Sequence, residues 1–359
     1  MSLKGLPRSW VGGTIGSYIA SRISNLVYTP ASRIVMIYRR LGKTGIEVSE
    51  ISLGVYSVTG MYGDVAPEKA MKILRLARDL GINLFDTADV YGRGYGEEIL
   101  RKTFGDDVRE MVIATKVGYD IYTQDKGLQR RYDPRYIMYA AKKSCERIGK
   151  RPIDILQIHN PPLETLRSPQ LYRLLRDLVD RGLAEHVGIA LGPEKHVLSE
   201  ALEAIEHGEV EAIQFIYNAL EQRPGREIAM RASEKGLGIL VRVPHAGGIL
   251  SERIDRKGFE KLGDHRSLRD RDWLEWAFNL YDSMKPYLKG YSATPGQNSI
   301  RFILSSIPVS SVVVIATSED ELREYAEASD KGPLDPVAVR RIIELYEEAE
   351  TRWAGKWLS

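Results

Sequence analysis

LFDTAD at residues 84–89, VIATKV at 112–117 and DILQIH at 154–159 decide how this chain folds. Each is a short apolar run with a polar residue at or near its end: Asp86, Lys116 and His159. Runs this apolar, separated by segments of helical spacing, suit strands buried on both faces of a parallel sheet. Working outward, similar runs recur at ISLGV (51–55), EHVGIA (185–190), AIQFIY (212–217), GILVRV (238–243) and SVVVIAT (311–317). Between the first two, Ala70, Ile73, Leu74, Ala77 and Leu80 form an apolar stripe, with Lys72, Arg75, Arg78 and Asp79 outside it. Eight strands alternating with helices predict an α/β protein, a (β/α)8 TIM barrel. A doubly wound open sheet is the rival, but it wants a glycine-rich phosphate loop straight after an early strand. The run after the first strand here, VYSVTGMYG (55–63), is not one.

Two additions to the barrel are expected. YRRLG and IEVSEI, separated by Lys43-Thr44-Gly45, read as an N-terminal hairpin. A long loop and helical insert after strand 7, roughly 249–296, carries Trp273, Trp276, Phe278, Tyr281, Tyr287 and Tyr291 and is expected to cap the barrel mouth. Residues 335–353 read as a closing helix. Residues 1–35 differ from the rest and are read as a flexible extension, or as sequence ahead of a true start at Met36; residues 36–359 would be one catalytic domain. A secretory signal is disfavoured because Gly, Thr and Ser interrupt the apolar stretch.

Composition narrows the function classes. The chain is 43% hydrophobic and 28% charged, with 51 basic and 49 acidic residues and a net charge of +2, so nucleic acid is not an expected partner. No run approaches the roughly 18 apolar residues of a membrane span. Cys145, the single cysteine, excludes an internal disulfide and reads as a small core residue.

Neighbouring strand ends of a parallel barrel converge on one mouth. Asp86, Tyr91, Lys116 and His159 therefore become one cluster. Taken singly, each has a plainer reading: a turn cap, a packed aromatic, a solvated end, a satisfied buried histidine. Taken together, they make a proton-transfer site for a carbonyl or an alcohol. Asp86 would hold Lys116 charged, and Lys116 would lower the pKa of the Tyr91 phenol. A lyase using Lys116 as a Schiff-base nucleophile is opposed by that same carboxylate.

RRLGKTGIEVSEISLG (39–54), NLFDTADVYGRGYGEEILRKTF (83–104), VIATKVG (112–118) and DILQIHNPP (154–162) strongly resemble the aldo-keto reductase family. The resemblance continues through AIQFIYNAL (212–220) and VRVPHAGGILSER (241–253), then more weakly to about residue 329. It implies an NAD(P)H-dependent oxidoreductase, without metal, that reduces aldehydes or ketones or runs the reverse reaction in the cytoplasm. Tyr91 would be the general acid, Lys116 its partner, Asp86 the orienter of Lys116, and His159 the residue that positions the carbonyl. By the same carry-over the nucleotide, NADP or NAD, would lie along Gly54, Asp86, Ala190, Gln214, Arg242, Pro244, Gly248, Leu250, Ala316, Thr317, Glu324 and Tyr325. Three departures from the family pattern stand out: Ala190-Leu191 replace Ser-Asn, Ile315-Ala316-Thr317 replace a glycine, a small residue and an arginine, and Glu324-Tyr325 replace Glu-Asn. They predict weaker nucleotide binding or a shift toward NADH. Tyr56, Tyr62, Tyr119 and Trp273 are candidate pocket walls, His245 has no assigned role, and oligomeric state is not readable. A non-catalytic, cofactor-binding regulatory protein on the same fold is the alternative function.

Overall fold

The computed structural model describes residues 26–27, 34–60, 65–123, 128–193, 196–259, 261–290 and 292–353. Its centre is a closed barrel of eight parallel strands in sequence order. They are β1 (Ile51–Gly54), β2 (Leu84–Asp86), β3 (Val112–Val117), β4 (Ile153–His159), β5 (Ala184–Ala190), β6 (Ala212–Ile216), β7 (Gly238–Arg242) and β8 (Ser311–Val314). β8 pairs back onto β1 through Val312↔Ile51 and Val314↔Leu53, so no edge is left open. Each strand expected from the sequence forms. The run LFDTAD leaves the sheet after Asp86, and SVVVIAT leaves it after Val314.

Outward-facing strand residues pack against helices, as the stripes require. In α1 (Pro67–Asp79) the side chains of Ala70, Ile73, Leu74 and Ala77 are fully buried. The ring continues with α2 (Tyr95–Phe104), α3 (Pro134–Ile148), α4 (Pro169–Asp180), α5 (Val197–Ile205) and α6 (Gly225–Glu234). Cys145 sits on α3, buried, and loss of water pushes its thiol pKa up to about 11, as suits an inert core residue.

The hairpin forms as Met36–Arg40 against Glu47–Ser49, and the short strand Leu26–Val27 pairs with Met36 and Ile37. It plugs the lower end of the barrel. Leu41 and Val48 join Leu84, Ala114, Ile155, Ala212, Leu240 and Val313, inward residues of six strands, in one apolar layer. At Gly42 (φ +54°) a Cβ would lie 2.3 Å from the Gly238 nitrogen, so only glycine allows the turn to seat on the rim of β7.

After β7 the insert behaves differently from the expectation of a simple cap. Several of its residues do reach the mouth loops: Arg266 Nη1 donates to the Gly247 carbonyl (3.2 Å), Arg269 pairs with Glu221 (2.7 Å), and the Gly296 carbonyl hydrogen-bonds the His245 ring (3.1 Å). The long helix α7 (Arg271–Leu288) then turns aside and packs on the closing helix α10 (Pro336–Trp353), with Trp276 edge-on to Tyr346. Its aromatic residues are thus mostly core: Trp273, Phe278 and Tyr281 are all buried. α8 (Pro295–Ser306) returns the chain to β8, and α9 (Glu319–Asp330) follows it.

Candidate active site

Side chains on a strand alternate between its two faces, so the residue two positions beyond an inward one also points inward. Two positions above Leu84, Ala114, Ile155, Ala212 and Leu240 stand Asp86, Lys116, Gln157, Gln214 and Arg242. The barrel interior therefore changes from apolar to polar within one step along five strands. Strand pairing carries that step around the wall, matching Lys116 with Gln157, Ala190 with both His159 and Gln214, and Ile216 with Arg242.

Lys116 is 1% exposed, and its Nζ donates to both Asp86 oxygens (2.8 and 2.7 Å) and to the Thr87 carbonyl (2.8 Å). A buried ammonium is tolerable only when its protons are used this fully. Gln214 Nε2 donates to Asp86 Oδ1 at 2.7 Å, fixing the carboxylate from the far side. The Tyr91 hydroxyl lies 3.4 Å from Lys116 Nζ, a long contact of the kind that tightens when substrate arrives. All four residues read from the sequence are gathered here: the Tyr91 and His159 rings stand edge to face, with centroids 6.1 Å apart.

The electrostatics refine the expected role of Lys116. Its charge does pull the Tyr91 phenol down, and Arg242 helps, but burial outweighs both and holds the phenol pKa above its ordinary value. The Tyr91 hydroxyl therefore stays protonated at neutral pH. The His159 imidazole is held well below its ordinary pKa by burial first, then by the charges of Lys116, Arg242 and Arg130. It is neutral, and can donate or accept one hydrogen bond without adding charge.

Around this centre, Tyr56 sits edge-on to Tyr91 (4.9 Å between centroids) and Tyr119 edge-on to His159 (5.1 Å). Both rings stand beside the clustered residues. Trp273 is buried beneath the Arg269 guanidinium, 4.2 Å from it, as part of the core. Tyr62 and Tyr291 lie outside the described residues. Two positioning residues escaped the sequence reading. Asn160, at φ +50°, donates its amide to the Tyr119 hydroxyl (2.9 Å), and the Tyr132 hydroxyl donates to the backbone oxygens of His159 and Asn160 (2.9 and 2.6 Å). The readable signal was an asparagine directly after the strand-end histidine, a residue type that tolerates left-handed backbone.

The other end of the mouth is built from loops. Val243 (φ +61°), Ala246 (φ +47°) and Glu252 (φ +54°) are three of the five described non-glycine residues with positive φ, and all follow β7. Strain of this density, with a β-branched residue among its sites, marks a segment shaped for a ligand rather than for stability. Gly248 (φ +109°) lies within it, Leu250 is fully buried, and Pro244 opens it. The His245 ring stacks on Tyr325 (4.2 Å) and hydrogen-bonds the Gly296 carbonyl (3.1 Å), a role that sequence could not supply. Arg253 clasps Glu324 (2.6 Å) and Glu321 (3.3 Å), tying this segment to α9. The Ala316 carbonyl accepts from the Ser57 hydroxyl (2.9 Å), while Thr317 donates its N–H (2.8 Å) and hydroxyl (3.1 Å) to Glu321. At Gly54 an added Cβ would meet Ile315 and Val313 at 3.2 Å, so the crowding there comes from β8.

A polar barrel mouth that holds a protonated phenol beside a buried ion pair defines an enzyme that moves protons at a substrate oxygen. The aldo/keto reductase family profile matches residues 50–347, and the chain belongs to that family of NAD(P)H-dependent oxidoreductases. It is 27% identical over 340 residues to a probable voltage-gated potassium channel subunit beta of Arabidopsis thaliana, covering 88% of this chain and 98% of that protein. It is also 27% identical over 313 residues to the L-glyceraldehyde 3-phosphate reductase of Escherichia coli O157:H7, with 82% and 87% covered. The holo form of aldo-keto reductase AKR11C1 from Bacillus halodurans superposes with a TM-score of 0.72 at 25% identity, covering 86% of this chain and 96% of that one.

A nicotinamide fits one end of the mouth. The Gln214 Oε1 and Asn160 Oδ1 atoms are buried without a protein partner, free to accept from a carboxamide or another polar ligand. Ala190 and Leu191 add no side-chain donor, although the Leu191 carbonyl anchors Arg242 Nη2 (2.9 Å). The other end is acidic. Barrels often hold phosphate between the loops after strands 7 and 8 and a helix N-terminus. Here the first turn of α9 carries Glu319, Asp320 and Glu321, and the Glu321 carboxylate already takes the Thr317 N–H.

Proposed function

We propose that this enzyme reduces aldehyde or ketone carbonyls to alcohols, with Tyr91 as the proton donor. The observation that carries the reading is the Tyr91 hydroxyl against Lys116 Nζ, with Lys116 fixed by Asp86. A bound reduced nicotinamide would supply the hydride to the carbonyl carbon. The electron pair leaving the carbon–oxygen π bond moves to oxygen, which takes the Tyr91 proton. The Lys116 ammonium stabilises the phenolate left behind, and the neutral His159 hydrogen-bonds the carbonyl oxygen and orients it. Because burial keeps the phenol protonated, the resting site is set to donate a proton in reduction; oxidation needs the phenolate. Residues 36–359 would act as one catalytic unit, in the cytoplasm.

The test is Tyr91→Phe: carbonyl reduction, followed by nucleotide absorbance at 340 nm, should fall by about three orders of magnitude or more. Nucleotide binding, followed by fluorescence, should persist. Full activity in that variant would remove Tyr91 from the chemistry.

NADH is the cofactor we assign over NADPH. The reading is supported by the carboxylates of Glu321 and Glu324 at the start of α9, which would repel a 2′-phosphate bound there, whereas carboxylates accept readily from a ribose hydroxyl. A fluorescence titration that gave tighter binding to NADPH would refute this. A regulatory, cofactor-binding role remains the second reading, favoured by the relative named as a channel subunit. Absence of turnover across an aldehyde panel, with nucleotide still bound, would select it.

A further inference from the structure

The strand register arranges the inward side chains in rings. Barrel strands are tilted, so a level path around the wall climbs two residues for every two strands crossed. Gly54 is in register with Asp86 and then Ala114, and two residues further up stands Lys116. Lys116 leads in the same way through Gln157 and Gly188 to Ala190, and Ala190 through Gln214 and Leu240 to Arg242. Arg242 leads through Val313 and Ser52 back to Gly54, which closes the ring. One level of the mouth is therefore lined by Gly54 on β1, Lys116 on β3, Ala190 on β5 and Arg242 on β7. Two cations stand on opposite walls, and the positions between them carry at most a methyl group.

The charges at this level do not balance. Asp86 is committed to Lys116 and Gln214. Glu221, the other carboxylate that acts on Arg242, is bonded to Arg269 (2.7 Å) and to the Asn218 amide (2.8 Å). The Arg242 guanidinium itself donates once, from Nη2 to the Leu191 carbonyl (2.9 Å), and has no ion pair among the described residues. The charged groups acting on Tyr91 are Lys116, Asp86 and Arg242; those acting on His159 are Lys116, Arg242 and Arg130. Lys116 with Asp86 makes a pair of no net charge, and its ammonium protons go to Asp86 and the Thr87 carbonyl, leaving only a long contact to the Tyr91 hydroxyl. Arg242 supplies the excess.

We propose that Arg242 is a second electrostatic partner of Tyr91, sharing with Lys116 the negative charge that carbonyl reduction leaves on the Tyr91 oxygen. This rests on the carbonyl-reducing reading of the same site, and gives Arg242 a part in the proton transfer besides any contact with the nucleotide. The phenol enters the step neutral; its proton goes to the substrate oxygen, and the O–H electron pair stays on Tyr91. A cation already fixed in a site shielded from water stabilises such a charge without reorganising as it forms.

The experiment follows 4-nitrobenzaldehyde reduction and 4-nitrobenzyl alcohol oxidation across alkaline pH in wild type, Arg242→Gln and Arg242→Lys. The glutamine removes the charge but can still donate to the Leu191 carbonyl; the lysine keeps the charge. Loss of a nearby cation raises the pKa of a phenol, so in Arg242→Gln the alkaline rise of oxidation should move up by about one pH unit. The kcat for reduction should fall about tenfold, the equivalent of that shift. Arg242→Lys should keep the wild-type pH profile and recover most of kcat. A profile unmoved in Arg242→Gln, or moved equally in both variants, overturns the proposal, as does weaker NADH binding as the sole change. Arg242→Met takes the place of the glutamine variant if that variant does not fold. If neither compound is turned over, the reductase reading fails separately. Tyrosinate absorbance then titrates the phenol directly, as the step lost in Tyr91→Phe. A step in the same place in Arg242→Gln overturns the inference, and a step at higher pH supports it.

Discussion

The two ends of the barrel mouth are made in different ways. At the catalytic end Asp86, Lys116, Gln157 and Gln214 are inward positions on strands, one step above an apolar layer, and their places follow from the sheet register. At the other end, where the nucleotide is proposed to lie, the contacts run from a strained loop to a helix: His245 on Tyr325, and Arg253 on Glu321 and Glu324. The first end is rigid because the barrel is closed. The second is held by half-exposed ion pairs, which solvent screens. The proposed chemistry thus sits on strand positions fixed by the sheet register, and the proposed nucleotide contacts on loop and helix positions that can change at little cost to the core.

The largest effect expected from this contrast is Lys116→Met. At the rigid end, removing the ammonium leaves Asp86 buried without its ion pair, which costs about 3–5 kcal/mol of stability. The phenol also loses the charge that stabilises its anion. Urea unfolding should report the destabilisation, and turnover should fall with it. A variant of unchanged stability would mean that water reaches Asp86 and that this end is less rigid than its geometry indicates.

Next in size is Glu321→Gln at the loop-built end. Removing one negative charge should raise affinity for NADPH relative to NADH by up to about fivefold, the range of a single exposed charge interaction. Arg253 keeps Glu324, but Glu321 also accepts from Thr317 and from the Tyr325 hydroxyl, so a small loss of stability is expected, well below that of Lys116→Met. The titration that measures nucleotide affinity also tests the contrast: a large loss of stability would show that this end, too, is structural.

This difference explains what could be read before the structure was seen. Strand alternation and the period of two carry the barrel, the hairpin and three of the four clustered residues, since position along a strand dictates facing; Tyr91 stands in the turn after β2. No comparable rule links residue 253 to residue 321. Their pairing depends on a loop with left-handed backbone at Val243, Ala246 and Glu252, conformations that their residue types do not announce. Asn160 is intermediate: its type suited its backbone, but its partner Tyr119 came from another loop. The insert misled for the same reason, because its aromatic residues could serve a mouth or a core equally, and α7 spends them on α10.

The pH profile is a gentler probe of the catalytic end. His159 is protonated only well below its ordinary 6.5, so kcat/KM for reduction should pass through that region without a break. Tyr91 must hold its proton for reduction, and its raised pKa places the loss of activity above the usual value of 10. Alcohol oxidation, which needs the phenolate, should instead climb across alkaline pH. A break in the reduction profile near 6.5 would mean that the imidazole is solvated.

The smallest effect concerns Asp89, three residues beyond Asp86. Both of its carboxyl oxygens are buried without hydrogen-bond partners, and burial, with Glu97 nearby, raises its pKa well above 3.8. Arg147, the nearest cation of note, is already bonded to Glu97 at 2.6 Å. A carboxyl whose folded pKa is raised adds stability at pH values below its unfolded pKa and forfeits it as pH climbs through the folded one. Asp89→Asn removes that loss, so its melting temperature should equal or exceed that of the wild type, with a gain that grows from pH 5 to pH 9. Carbonyl reduction should continue, because only the Asp89 backbone N–H, which donates to the Lys116 carbonyl at 3.0 Å, reaches the catalytic strand, and asparagine keeps it. Loss of activity without loss of stability would instead give Asp89 a part in the proton path, and the catalytic end would then extend one layer behind Lys116.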